Sequence, residues 1–260
     1  MDHTLREWVR LGEKCGLAQA ALDAQAKETR MDRTHIRQVM LAHWHDMQSA
    51  IRTGLEPGLR SVSGLSGGQA VKLLNRMQEG MGKIVAAPTA GACGILPGLL
   101  QALAEERNFQ EDALVDALFV AAAVGESIAS QASISGAEGG CQAECGSAAA
   151  MAAAAMVFLE GGTPQQSADA AAFTIMNLLG LVCDPAGGLV EVPCVYRNVG
   201  AVGVAITSAD MALAGIDCPI DPDEVILAMK EVGDALPASL RETGEGGCAA
   251  CPSIRCRLKL

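Results

Sequence analysis

Three cysteines of this sequence lie beside glycine or proline, in predicted turns next to long apolar helices. They are Cys141 after Gly139-Gly140, Cys183 before Asp184-Pro185, and Cys194 after Pro193. A thiol that serves only packing prefers the middle of an apolar helix face. A thiol that binds metal prefers a loop, where it is accessible and the backbone can bend around the metal. The placement of these thiols therefore predicts a metal site.

Cys141 has the clearest local surroundings. The two preceding glycines end any earlier helix, while the residues from Gln142 through the alanine-rich run 148–159 have the composition of a helix. Cys141 is therefore expected at a helix N-terminus, where free N–H groups and the positive end of the helix dipole favour a thiolate. The same N–H groups can hydrogen-bond to the sulfides of an iron–sulfur cluster. The alternative is a small buried cysteine under a glycine turn.

The composition of the chain argues against several other classes of function. The formal net charge is −11, whereas a nucleic-acid-binding surface needs clustered Lys and Arg. No signal peptide is recognisable, and the longest apolar run, 148–159, is shorter than the roughly 20 residues of a membrane span. Ten cysteines in such an acidic chain predict a cytoplasmic protein whose reduced thiols serve metal or redox chemistry.

Helical periodicity runs through most of the sequence and predicts an all-α fold, a bundle of buried helices rich in Ala and Gly. Aromatic residues make up only 3% of the chain, so the core must consist of Ala, Leu, Val, Ile and Met. We expect a single domain over 1–260, with an N-terminal helical part, 1–60, and a core, 61–260. Predicted helices lie within 5–53 and over 69–77, 95–104, 113–132, 142–159, 164–181, 198–213 and 222–232.

Two glycine loops are candidates for binding a substrate carboxylate. The first contains Ser61, Ser63 and Gly64, and the second contains Thr89, Ala90 and Gly91. Successive N–H groups and hydroxyls in such loops form a concave anion site. For the first loop, a plain linker is the alternative.

Two further groups of residues have the types found in metal sites. His43 and His45 are two residues apart and face different sides of a helix, so we interpret them as surface histidines. Cys248, Cys251 and Cys256 form a ferredoxin-like fragment, an alternative site for a cluster or zinc. They lie in a glycine-rich tail that we expect to contain no helix.

Three segments resemble the iron–sulfur-dependent bacterial L-serine dehydratases, and are most similar to the alpha chain of the two-chain form. They are SGAEGGCQAE at 135–144, CDPAGGLVEVPC at 183–194 and APTAGACGILPG at 87–98. The resemblance extends over most of the chain and implies that Cys141, Cys183 and Cys194 hold a [4Fe–4S] cluster. One iron is then left open for substrate, as in other catalytic metal sites. Cys145 lies one helical turn after Cys141 and is outside this ligand set.

The resemblance also implies the reaction, conversion of L-serine to pyruvate and ammonia. A Lewis-acidic iron would assist departure of hydroxide, a poor leaving group, and the glycine loops would hold the carboxylate. Lys83, Ser133 and Ser135 are candidates for the general base, and a side chain from a partner chain is an equal alternative. The sequence contains no candidate for the small-molecule regulatory domain often found in the beta chain, so we expect a beta chain as partner.

Two alternatives stay open. The first is a related [4Fe–4S] L-cysteine desulfidase, because those enzymes share the alpha-chain pattern. The second is a non-catalytic cluster- or zinc-binding subunit. The second is favoured by the short connection between Gly80 and Lys83, where related chains carry a further helical segment.

Overall fold

The structure, a computed structural model, describes residues 4–55, 61, 63 and 85–259. Throughout these ranges the regular elements are helices, which confirms the all-α prediction. The α-helices are α1 Leu5–Cys15, α2 Leu17–Thr29, α3 Arg33–Gly54, α4 Ile95–Arg107, α5 Glu111–Gln131, α6 Gly136–Gly139, α7 Ser147–Leu159, α8 Pro164–Leu178, α9 Cys194–Leu213, α10 Pro222–Ala235 and α11 Pro252–Leu258. A π-helical segment, Gln142–Gly146, runs directly into α7. The predicted helix 69–77, and with it Gly64 and Lys83, lies outside the described residues.

Helix α7 forms the centre of the bundle. Its sequence, SAAAMAAAAMVFL, is apolar around the whole circumference, and its residues from Ser147 to Val157 are all buried. A helix of this composition needs protein on every side. Helices α4, α5, α8 and α9 pack around it, and its many methyl groups allow close approach of the neighbouring backbones. The predicted Ala-rich core is therefore present.

The N-terminal helices share the same hydrophobic core. Leu5, Trp8 and Trp44 are buried in one continuous cluster with the residues of α5, α7 and α8. Asp223 joins α10 to the start of α1, since its carboxylate accepts the backbone N–H groups of Leu5 at 2.7 Å and Arg6 at 3.0 Å. These bonds satisfy donors that the start of α1 would otherwise leave unpaired. The division into 1–60 and 61–260 stays a prediction.

Local sequence signals set several helix boundaries. Thr163 and Gln166 form the expected capping box at the start of α8. Asp32 caps α3, where the prediction placed the first helical residue at Thr34 rather than Arg33. His43 and His45 are both exposed, as the surface interpretation requires, and His45 lies 2.6 Å from Glu111.

Two helical stretches, Glu111–Gln131 and Gln142–Leu159, are long and apolar enough to cross a membrane. Most of each apolar window, 67% and 83%, is buried inside the structure, so packing in a protein core accounts for their composition.

Candidate active site

Three different elements bring Cys141, Cys183 and Cys194 together. Cys141 lies at the N-terminus of the π-helical segment, and Cys194 is the first residue of α9. Cys183 lies in an extended strand-like segment beyond α8, where its N–H donates to Leu240 O at 2.9 Å and its carbonyl accepts from Glu242 N at 2.7 Å. Helix α8 therefore ends at Leu178 rather than at Leu181 as predicted, and a turn rather than a helix end positions Cys183.

The turn before Cys183 is fixed by the buried side chain of Gln142. Its Oε1 accepts the N–H of Gly180 at 2.8 Å, and its Nε2 donates to Met229 O at 2.8 Å. The backbone N–H of Gln142 donates to Leu181 O at 2.9 Å. These bonds hold the turn against the start of the π-helical segment, which fixes Cys183 relative to Cys141.

The thiols are more deeply buried than predicted. The sequence suggested accessible loop cysteines, whereas Cys141, Cys183 and Cys194 are only 2%, 3% and 8% exposed. The loops that carry them fold against each other and beneath the C-terminal residues 240–250. Any group that these thiols hold would therefore be largely shielded from water.

Cys145 is a fourth thiol in the same place. Its Sγ lies 3.4 Å from the Sγ of Cys141, so the two residues share one face of the helix, as their spacing predicts. Hydrogen bonds from Cys145 and Cys183, with an attraction from Arg197, lower the pKa of Cys141. Burial raises the pKa of Cys194 to about 12. The group therefore favours one thiolate, Cys141, surrounded by protonated thiols.

Arg197 and Asp184 form a buried ion pair beside the thiols. Arg197 Nη2 lies 2.7 Å from Asp184 Oδ1, and Arg197 Nη1 donates to Val182 O at 2.7 Å. Asp184 Oδ2 also accepts the N–H of Cys248 at 2.5 Å. Neither charged residue stood out in the sequence, although Arg197 lies one helical turn after Cys194 and must share its face of α9. The guanidinium supplies positive charge next to the thiols.

Asn198 connects the second glycine loop to the cysteines. Its Oδ1 accepts the N–H of Gly94 at 3.1 Å, and its Nδ2 donates to the carbonyls of Gly91 and Cys194, each at 2.8 Å. A narrow cleft of about 60 Å³ lies here, with Ala90, Gly91 and Cys194 in its walls. The loop predicted to bind a carboxylate is therefore held directly against a predicted metal ligand.

Glu144 was missed in the sequence, although it lies between Cys141 and Cys145. Its carboxylate points toward the cysteines, with Oε2 at 3.8 Å from Cys183 Sγ. Burial raises the pKa of Glu144, and the side chain of Thr89 opposes this shift. The signal available in the sequence was a carboxylate three residues after a candidate ligand, on the same helical turn.

Comparison with known proteins identifies the family. The family model for the serine dehydratase alpha chain matches residues 73–249, well over half of the 260 residues. The chain belongs to the serine dehydratase alpha chain family. The matched range includes Cys141, Cys183 and Cys194 and ends before Cys251 and Cys256, so the tail cysteines lie at or beyond its limit.

Individual relatives agree with this family. A probable L-serine dehydratase alpha chain of Bacillus subtilis is 49% identical over 233 residues, covering 80% of this chain and 77% of that protein. The corresponding chain of Latilactobacillus sakei is 56% identical over 179 residues, covering 69% of this chain and 86% of that protein. The chain spans a smaller share, 39%, of the L-serine dehydratase 1 of Escherichia coli, at 43% identity.

The other predicted substrate and base residues are placed as follows. Ser63 donates its N–H to Glu191 Oε1 at 3.1 Å, and its hydroxyl bonds the other carboxylate oxygen, so a side chain of the same protein occupies these two donors. Ser61 is half-buried. Ser133 donates to Glu138 Oε2 at 2.5 Å and accepts the N–H of Ser135 at 3.0 Å.

Ser133 faces a separate cleft of about 410 Å³, whose walls include Glu138 and Arg241. The described residues that line this cleft include no cysteine.

The C-terminal tail is more ordered than predicted. It contains a 3₁₀ turn, Gly247–Ala250, followed by α11, which corrects the expectation of a tail without a helix. Buried Ala249 and the bond from Cys248 N to Asp184 attach the tail to the cysteine site, a long-range contact that its local sequence does not reveal. Cys251 and Cys256 are exposed.

Cys141, Cys183 and Cys194 carry free thiols, the donor type that iron–sulfur clusters take. Among the residues described, no three His, Cys, Asp or Glu side chains are arranged to hold one metal ion. A cluster is larger and takes thiolates on separate irons. Buried Cys141, Cys183 and Cys194, with Arg197 to offset negative charge, provide the chemistry that such a group needs.

Proposed function

We propose that the chain is the alpha subunit of an L-serine dehydratase, a lyase that removes water from L-serine and yields pyruvate and ammonia. The observation that carries the proposal is the convergence of Cys141, Cys183 and Cys194 beside the Thr89–Gly91 loop, joined by Asn198. The printed names of the relatives agree with this activity.

The proposed cofactor is a [4Fe–4S] cluster held by Cys141, Cys183 and Cys194. When bound, the cluster supplies a Lewis-acidic iron for the hydroxyl of serine. Arg197 lies beside Cys141 and offsets the negative charge of the thiolates. Asp184 fixes the guanidinium in this position, so the ion pair supports the ligands although it binds no metal itself.

The residues of the second glycine loop bind and orient the substrate in this proposal. The N–H groups of Ala90 and Gly91 and the hydroxyl of Thr89 receive the carboxylate. Asn198 donates a hydrogen bond to the carbonyl of Gly91, and this bond holds the loop in one orientation. The burial of the surrounding thiols excludes water from the reacting carbon atoms. Ser61, Ser63 and Gly64 of the first loop stay as further candidates for binding the carboxylate, although Glu191 occupies the N–H and hydroxyl of Ser63.

The reaction breaks two bonds of serine. A base removes the proton from Cα, the electron pair forms the Cα–Cβ double bond, and hydroxide leaves Cβ. The aminoacrylate that forms tautomerises and reacts with water, giving pyruvate and ammonia. Lys83, Ser133 and Ser135 stay as candidates for the base, together with a side chain of a partner. The carboxylate of Glu138 is placed to take a proton from Ser133.

The proposal includes a beta chain and a cytoplasmic location. The relatives from B. subtilis and L. sakei are named as alpha chains, which agrees with an enzyme built from more than one kind of chain. All ten cysteines are free, as thiols are in a reducing compartment.

Anaerobic purification with the partner chain tests the function. We expect a brown protein with about four irons per alpha chain, which releases pyruvate from L-serine and loses activity in air. Equal production of sulfide from L-cysteine would instead identify a desulfidase. Stoichiometric zinc without iron, and no turnover of either amino acid, would support the non-catalytic subunit and exclude the proposed enzyme.

A further inference from the structure

The carboxylate of Glu144 lies in the space between the cysteines and the second glycine loop. A Cβ atom added at Gly136 would lie 2.6 Å from Glu144 Oε2 and 2.8 Å from Cys183 Sγ. A Cβ atom added at Gly91 would lie 3.3 Å from Glu144 Oε1. The side chain of Glu144 therefore lies against both the second glycine loop and the segment beside Cys183, and the residues that face it there are Gly91 and Gly136.

Negatively charged groups are neighbours of this carboxylate. In the part of the chain that the structure describes, the ion pairs of Lys, Arg and His do not involve Glu144. Cys141 and Glu242 both act on it as negative neighbours. A cation placed beside a partly buried carboxylate stabilises its charged form.

We propose that Glu144 binds the α-ammonium group of the amino-acid substrate. This inference rests on the proposed function. The N–H groups of the Ala90–Gly91 loop bind the substrate carboxylate, and the carboxylate of Glu144 binds the ammonium group. A methyl group at Gly91 or Gly136 would crowd the Glu144 carboxylate. The side-chain carbon of the substrate then points toward the cysteines. Two opposite charges of the amino acid are thus bound on opposite sides of Cα.

This arrangement makes Glu144 a specificity-determining residue. A charge-assisted hydrogen bond between ammonium and carboxylate is about twice as strong as a neutral one. Loss of such a bond costs about 1.5–3 kcal/mol, which corresponds to roughly a 10- to 100-fold change in affinity. The site would therefore select amino acids over hydroxy acids and simple carboxylic acids of the same size.

The test compares two ligands that differ in the amino group and cannot lose water, L-alanine and propanoate. Their dissociation constants are measured by calorimetry on the assembled, cluster-loaded enzyme. We expect the wild type to prefer L-alanine by at least about tenfold, and Glu144→Gln to reduce this preference about tenfold. Glu144→Asp keeps the charge on a shorter side chain and should retain part of the preference.

Glu242→Gln is the matched control, because Glu242 is an exposed neighbour whose removal takes away the same charge. Its preference for L-alanine should equal that of the wild type. If Glu144→Gln keeps the full preference but loses exchange of the Cα proton with solvent, Glu144 is the base and the inference is wrong. A wild-type holoenzyme without serine turnover would instead overturn the proposed function, independently of the Glu144 comparison.

Discussion

The Sγ atoms of Cys141 and Cys145 lie 3.4 Å apart, within hydrogen-bonding contact. The hydrogen bond from Cys145 is the main cause that lowers the pKa of Cys141, so it stabilises the thiolate form of Cys141.

Cys145→Ala should raise the pKa of Cys141, because it removes the principal hydrogen bond to that thiolate. The thiolate fraction near neutral pH then falls, so cluster-free protein should react more slowly with iodoacetamide at Cys141. Peptide mass spectrometry at several pH values measures this rate. Cys218→Ala, at a half-buried thiol elsewhere, is the control, and an equal slowing in both variants would contradict the assigned role.

Replacement of any one proposed ligand by serine should remove the visible absorption and the serine turnover together. Cys141, Cys183 and Cys194 are buried and tied to fixed backbone, so each substitution leaves one iron without its thiolate. Cys251→Ser and Cys256→Ser, at exposed tail positions, should leave iron content unchanged. Iron and sulfide analyses check this prediction. Loss of iron in the tail variants alone would show that the tail cysteines, and not these three, are the ligands.

Arg197→Gln should destabilise the protein and speed the loss of cluster in air. The side chain is 16% exposed and its partner Asp184 is 2% exposed, so the variant leaves a buried carboxylate without its cation. Removal of one member of a buried pair costs about 3 kcal/mol or more. Urea unfolding measures the change. Arg107→Gln breaks an exposed pair with Glu160 and should cost less than about 1 kcal/mol.

Gly247→Ala should detach the tail from the cysteine site. Gly247 has φ +59°, and an added Cβ would collide with the Asp184 carboxylate that holds Cys248 N. Gly244→Ala is the control, since Gly244 has φ +71° but no closer neighbour than Pro185 O at 4.0 Å. Both variants carry backbone strain of about 1 kcal/mol. Only Gly247→Ala should make the tail sensitive to limited proteolysis.

The helices could be predicted because their signals are local. Periodicity, the Thr163 capping box and the apolar run of α7 each lie within one stretch of sequence. The shared face of Cys141 and Cys145 follows from the same kind of information.

The remaining parts of the site depend on contacts between distant residues. The burial of Cys183 and the order of the tail come from pairing with Leu240 and Glu242 and from the bond between Asp184 and Cys248. Glu144 gains its importance from Gly91 and Gly136, which flank it only in three dimensions. No local pattern in the sequence encodes these distances.

The π-helical segment has a consequence for insertions and deletions. Gln142–Gly146 carries a wider turn than the α-helix that follows, and such segments commonly interrupt α-helices at functional sites. A π-helical turn holds about one residue more than an α-helical turn, so deleting one residue here would restore regular α-helical winding and leave Cys141 facing nearly the same direction relative to α7. A homologue with the same motif and one residue fewer could therefore still hold this thiol in the same place.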